Sequence, residues 1–288
     1  MSETVERKLQ PVLKLLSNNS ATIGLFVLIT TLLVALLAPY IAPYDPYEQH
    51  LLDRLSPPSW EHPLGTDGHG RDLLSRIIFG TRISLSVGLI SIGIGLGIGV
   101  PLGLIAGYLG GFVEEVIMRL IDIMMAFPGI LLALVVVAIL GPGLFNVMVA
   151  VGIWSVPIFT RIVRGSALSI KEENYIEAAH ALGARSPNII LKHVLPNSLA
   201  PILVLSTLRL ATAILSAAAL SFLGLGAQPP TPDWGAILSS GRNYLRTAWW
   251  FSTFPGLAIM FVVLGFNLLG DGLRDILDPK MRGDRDLR

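Results

Sequence analysis

Residues 82–108 read RISLSVGLISIGIGLGIGVPLGLIAGY, an apolar run whose one charge, Arg82, stands at its edge. A helix rises about 1.5 Å per residue, so a bilayer core of about 30 Å needs roughly 20 apolar residues, and this run supplies them. Inside it and just beyond, Gly95, Gly99, Gly103, Gly107 and Gly111 recur every fourth residue. In a helix that period puts all five on one face, where a second backbone can approach closely. The face serves either as fixed packing or as a surface along which one helix slides. Its Gly-x-Gly pairs are no dinucleotide fingerprint, because no third glycine follows at the required spacing and no strand precedes.

Outward from this run, five more stretches have the same character. They lie at about 21–42, 114–140, 144–165, 199–224 and 251–272, with Gly141-Pro142-Gly143 as a tight turn after the third span. Composition agrees: 52% of the 288 residues are hydrophobic and only 14% are charged, where soluble domains carry about 25%. Too little polar surface exists to cover a water-soluble globule, so lipid is the solvent for much of the chain. The net charge of +1 gives no basic field for nucleic acid. The absence of cysteine removes disulfides and thiolate chemistry. Pro39 and Pro43 occupy the place where a signal peptide would have its cleavage site, and further spans follow. The first run is therefore read as an uncleaved helix.

Orientation follows from lysine and arginine near the span ends. With the N-terminus inside, 14 of them fall on the inner side (Arg7, Lys8, Lys14, Arg119, Arg161, Arg164, Lys171, Arg185, Lys192, Arg274, Lys280, Arg282, Arg285 and Arg288). Six fall outside: Arg54, Arg71, Arg76, Arg82, Arg242 and Arg246. The expected organisation is all-α, integral to the membrane, with six transmembrane helices and both termini cytoplasmic. It comprises a cytoplasmic segment 1–20, a first helix 21–42, an external segment 43–81, a core 82–272 that includes a cytoplasmic segment 166–198, and a tail 273–288. Trp249 and Trp250 read as an outer interfacial anchor at the start of span six.

The inner segment 171–198, KEENYIEAAHALGARSPNIILKHVLPNS, is too polar for lipid and is not composed like a linker. Tyr175 to Leu182 carries good helix formers, Gly183 suits a helix end, and 188–194 forms a second short helical piece before Pro196. The expected product is a compact knob of two short helices. Glu177-Ala178-Ala179, Gly183 and Leu195-Pro196 resemble the EAA motif in permease subunits of bacterial ABC importers. His193 stands where the usual pattern has Ile. The segments HPLGTDGHGRDLLSRIIFGTRISLSVG at 62–88 and SFLGLGAQPPTPDWGAILSSGR at 221–242 resemble the peptide and nickel branch of that family. Within it the chain is most similar to the second of the two dipeptide or oligopeptide permease subunits.

The resemblance implies a type I, MetI-like permease that forms half of a pore with a homologous, non-identical permease subunit. Two cytoplasmic ATPase subunits would carry ATP and Mg, and an external solute-binding protein would deliver cargo. The setting would be a bacterial or archaeal inner membrane. It also implies that Tyr175, Glu177, Ala178, Ala179, Leu182, Gly183, His193, Leu195 and Pro196 form the contact that couples ATP hydrolysis to transport. Di- or oligopeptides are the expected cargo, with nickel or another small solute as the alternative. The rival class is a transporter driven by an ion gradient. It would show inverted repeats and discontinuous helices, and it would leave the knob without a role.

No Gly-x-x-x-x-Gly-Lys-Ser/Thr phosphate loop occurs, so any ATPase site belongs to another chain. No cofactor is expected on this chain. His62, His69 and Asp67 lack a metal-site spacing, and no nucleophile elbow accompanies the serines. Arg209 falls near mid-membrane in span five, where an arginine costs at least about 2.5 kcal/mol on insertion scales. Two readings stand: a structural ion pair with Asp122 of span three, or a contact with a substrate carboxylate or with the translocation path. Asp233 is placed to cap a short amphipathic helix in the external segment 225–250, which either receives a binding protein or braces spans five and six.

Overall fold

The computed structural model describes residues 18–277. Most of the expected inner N-terminal segment and of the tail, with Arg7, Lys8, Lys14, Lys280, Arg282, Arg285 and Arg288, lie outside those residues. The fold is helical: α1 (Asn19–Ile41), α2 (Leu73–Leu109), α3 (Gly111–Met125), α4 (Gly129–Leu140), α5 (Leu144–Lys171), α6 (Asn174–Ala181), α7 (Ser186–Ile189), α8 (Leu195–Phe222), α9 (Trp234–Gly241) and α10 (Trp250–Leu277). Among the described residues five helices are long and apolar enough to cross a membrane, and α3 with α4, bent by 90°, make a sixth candidate as either a broken span or a re-entrant loop.

The α2–α5 pair is the centre of the molecule, and glycine makes it close. A Cβ at Gly95 would stand 2.8 Å from the Ser155 Cβ, and one at Gly99 2.8 Å from the Val156 carbonyl oxygen. At Gly103 and Gly107 the obstacles are the Thr160 and Arg164 carbonyl oxygens, at 2.6 and 2.7 Å. Ser91 also donates from its hydroxyl to the Met148 carbonyl, at 3.0 Å. Four of the five expected stripe glycines thus face α5. Gly111 does not, because α2 ends at Leu109 and Gly110, at φ 70°, turns the chain away before Gly111 begins α3. Nothing approaches within 4 Å of the Cβ position of Gly111.

Two further departures have local causes. Helix α2 starts nine residues earlier than the apolar run, because the Asp72 carboxylate accepts from the Ser75 N–H at 2.7 Å and caps it there. The third span is not one rod. Pro128 has no N–H to give a helix and disfavours helical backbone at Phe127, so α3 stops at Met125 and α4 restarts at Gly129. The Pro128 carbonyl accepts from Leu131 and Leu132 as the first acceptor of α4. A helix pair bent at Pro128 therefore stands where one straight span is expected from the sequence.

The segment between α1 and α2 is pinned by charge. The Asp67 carboxylate accepts from Arg71 Nε at 2.6 Å and lies 3.5 Å from Arg76 Nε, while Arg76 Nη1 donates to the Pro46 carbonyl at 2.8 Å. His62 Nδ1 sits 2.9 Å from Asp72, and His69 Nδ1 3.3 Å from Arg71 Nη2. The expected tryptophan anchor divides: Trp249 is exposed, whereas Trp250 is buried and its Nε1 donates to the Thr66 carbonyl at 3.3 Å. Trp250 opens α10 whereas Trp249 stands in the turn before it, and the two indoles take different sides.

Helix α9 is a brace. Trp234 and Ile237 are buried, the Trp234 indole donates to the Ile77 carbonyl at 3.0 Å, and the helix packs on α8 and α10. Asp233 caps it by accepting from the Ala236 N–H at 2.9 Å. Burial pushes the Asp233 carboxyl above its ordinary value of 3.8, against the hydrogen bonds that favour the ionised form. A folded pKa raised above the unfolded one means that the fold holds the proton more tightly. This site's contribution to stability therefore falls as pH rises from about 3.8 through the folded value. Asp233→Asn, which keeps the cap without the charge, is expected to match or exceed the wild-type melting temperature at pH 7 and to lose that pH dependence. Asp233→Ala is expected to cost about 1 kcal/mol. Thermal unfolding in detergent across pH checks both.

Candidate functional site

The knob between α5 and α8 is built around one side chain. Ile176, on α6, is 1% exposed and packs among Leu104 and Tyr108 of α2, Val163 and Ala167 of α5, and Ile189 and Val194 after the turn. Full burial of an isoleucine stabilises by roughly 1.5–3 kcal/mol, enough to hold an eight-residue helix that would not persist alone. The Tyr108 hydroxyl lies 2.7 Å from His180 Nε2, their rings stack, and Lys171 Nζ stands 5.9 Å above the Tyr108 ring. The end of α6 is a glycine-terminated cap. The Ala184 N–H donates to the Ala179 carbonyl and the Gly183 N–H to the His180 carbonyl, with Gly183 at φ 81°.

With Ile176 turned inward, the opposite face is set. Tyr175, Ala178 and Leu182 share it at helical spacing, flanked by Glu177 and Ala181. Tyr175 is 42% exposed and Leu182 88% exposed; Glu177 and Ala178 are exposed, and Ala179 is half-buried. The result is a small apolar ridge beside a carboxylate, held by buried neighbours and open to contact.

The second short helix of the expected knob is not separate. α7 passes through a wider, π-helical turn at Ile190–Val194 directly into α8. In that turn the Leu195 N–H reaches back five residues to the Ile190 carbonyl. An α-helical Pro196 would clash with the carbonyl four residues earlier; the wider turn relieves this, and Asn197 Nδ2 donates to the His193 carbonyl at 2.7 Å. His193 is half-buried with its ring 6.3 Å from that of Tyr175; Leu195 is half-buried and Pro196 exposed.

Above the knob, α3 and α5 are joined by charge. Arg164 pairs with Glu114, its Nε donating at 2.6 Å, and Arg161 Nη2 donates to Asp122 at 2.7 Å. The expected Arg209–Asp122 pair is not formed. The two depths were counted along straight rods, but α3 ends just beyond Asp122 and turns its carboxylate to α5. Arg209 instead lies over the indole of Trp154, 5.2 Å from the ring centre. Trp154 fills the place of a side chain at Gly129, where a Cβ would stand 1.7 Å from the indole Nε1. The sequence reading did not single out Trp154, although a lone indole within an apolar run opposite a buried arginine is a recognisable cation–π signal.

Comparison with known proteins fits this arrangement. Residues 99–283 match the family described as binding-protein-dependent transport system inner membrane component, and residues 12–58 match the N-terminal TM domain of oligopeptide transport permease C. The chain is 51% identical over 269 residues to the dipeptide transport system permease protein DppC of Alkalihalophilus pseudofirmus, covering 93% of this chain and 88% of that one. It is 51% identical to the glutathione transport system permease protein GsiD of Pectobacterium atrosepticum, covering 90% of this chain and 86% of that one. Among solved structures it resembles an inward-facing MetNI methionine ABC transporter with TM-score 0.58 and 22% identity, over 70% of this chain and 96% of the other. With its apolar helical frame and exposed knob, the chain belongs to the family of inner-membrane components of binding-protein-dependent transport systems, the permease subunits of ABC importers.

Proposed function

We propose that this permease forms one half of the pore of a peptide importer, and that α6 is the contact through which ATPase subunits drive it. The observation that carries the reading is the Tyr175–Ala178–Leu182 ridge, apolar and exposed yet fixed from behind by Ile176. Large apolar side chains held open on a rigid support mark a surface that another protein covers. Glu177 adds a carboxylate for a basic or amide group of that protein. The lysine and arginine bias supports placing this end, and both termini, in the cytoplasm. ATP and Mg belong on the ATPase partners in this reading, and a homologous, non-identical permease completes the pore.

Peptide cargo is supported by the dipeptide and glutathione transport named for relatives at 51% identity. An external binding protein would deliver it. Leu52 and Trp60, fully exposed on the outer segment beside Asp53 and Glu61, offer that protein an apolar contact with an acidic rim. The test is reconstitution in vesicles of this chain with its sister permease, ATPases and binding protein. Uptake of a labelled dipeptide is expected to require ATP on the ATPase side and to vanish when the ATPases are omitted. Uptake by this chain alone, without an ATP-hydrolysing companion, overturns the reading.

A further inference from the structure

We infer that Arg209 is a carboxylate-binding residue of the translocation path, reading the anionic end of a passing peptide. The inference rests on the reading that peptides cross through this chain. Three arginines lie well inside α5 and α8, and their surroundings differ. Arg161 and Arg164 each hold a carboxylate of α3. Arg209 has neither a hydrogen bond nor an ion pair among the described residues, and its Nε is buried without a partner. It stands fourteen residues beyond Leu195, about 21 Å along the helix and at the middle of α8.

An arginine at that depth is costly unless a water-filled cavity or a counter-charge offsets it. The fold supplies an indole face instead of an acid. The Trp154 ring, 5.2 Å from the Arg209 guanidinium carbon, attracts the charge without accepting a hydrogen bond from it, so the N–H donors are not used by this contact. A planar fork with free edge donors matches a carboxylate through two parallel hydrogen bonds. The indole is itself seated at Gly129, the first residue after the break in the third span. The fork is thus mounted at the elbow of the bent α3–α4 pair, and irregular backbone within a membrane faces a cavity or other protein rather than lipid.

The experiment uses the full transporter in detergent at millimolar peptide without the binding protein, so that delivery does not enter. Phenylglyoxal, which modifies arginine, is applied with a dipeptide, with the same dipeptide as its C-terminal amide, or with neither. Adduct at Arg209 is read by mass spectrometry. The expected result is modification without peptide, protection of several-fold by the free acid, and none by the amide. Equal protection by acid and amide, or no protection, overturns the inference. So does an Arg209 that is unreactive without peptide, because a carboxylate of the sister permease would then already occupy it. In vesicles, Arg209→Gln is expected to raise the KM for dipeptide while ATP hydrolysis persists, and Arg209→Lys to raise it less. ATP-dependent uptake that remains intact while these outcomes fail would sink the role of Arg209 and leave the importer reading standing.

Discussion

Replacing Gly103 by leucine is expected to leave almost no folded permease in the membrane, whereas Gly97→Leu is expected to leave the amount unchanged. Both glycines lie in the same apolar run, six residues apart, and hydropathy barely distinguishes the two changes. Their surroundings do. A Cβ at 103 would stand 2.6 Å from the Thr160 carbonyl oxygen, 2.8 Å from the Val163 Cβ and 3.0 Å from the Arg164 nitrogen, and nothing lies within 4 Å of a Cβ at 97. Two of the three obstacles are backbone atoms of α5, which cannot rotate aside. Overpacking of a core costs about 1–3 kcal/mol when side chains give way; here the two central helices must separate, and Gly95, Gly99 and Gly107 lose their contact as well. Size-exclusion profiles of a fluorescent fusion report the folded fraction directly. A monodisperse Gly103→Leu peak of wild-type height would show that α2 and α5 do not meet as described.

The second large effect is expected at the knob, with the fold kept. Glu177→Lys combined with Leu182→Asp should abolish peptide uptake in the reconstituted importer while basal ATP hydrolysis continues. Both side chains are exposed and Ile176, which anchors the helix, is untouched, so the melting temperature is expected to stay at the wild-type value. Central interface side chains contribute about 2 kcal/mol or more each. Since 1.4 kcal/mol is a factor of ten, a fall in coupled uptake of roughly a thousandfold is the scale expected for the pair. Gly183→Val is expected to act differently, by straining a left-handed backbone position at a cost of about 1–2 kcal/mol and loosening the end of α6. The ratio of peptide moved to ATP hydrolysed is the measurement. An unchanged ratio in the double variant removes α6 from the coupling role.

Much of this was legible in the sequence because lipid imposes a simple code. Apolar runs of the right length gave the crossings. A four-residue glycine period gave the tight face of α2, and Gly183 after a short run of helix formers gave the end of α6. What escaped depended on where the regular pattern stops. The glycine period runs on to Gly111, but the chain leaves the helix at Gly110, so spacing alone counted one residue too many. Pro128 was visible, yet an apolar composition on both sides concealed that it breaks the span. The partner of Arg209 is decided by three helices meeting, and depth counted along straight rods assigned it to Asp122 rather than Trp154. Which of Trp249 and Trp250 turns inward depends on the turn that leads into α10, and composition does not carry it.

The unbroken run from Ser186 to Phe222 has a mechanical consequence. Its 37 residues make a strut of about 55 Å, long enough to reach from the inner surface to the outer. The wide turn at Ile190–Val194 lets the strut begin at the knob without a joint. A stiff strut that pivots near mid-height swings its two ends in opposite directions. Drawing one end of such a strut sideways therefore displaces the far end the opposite way, carrying a movement at the knob to the other end of α8.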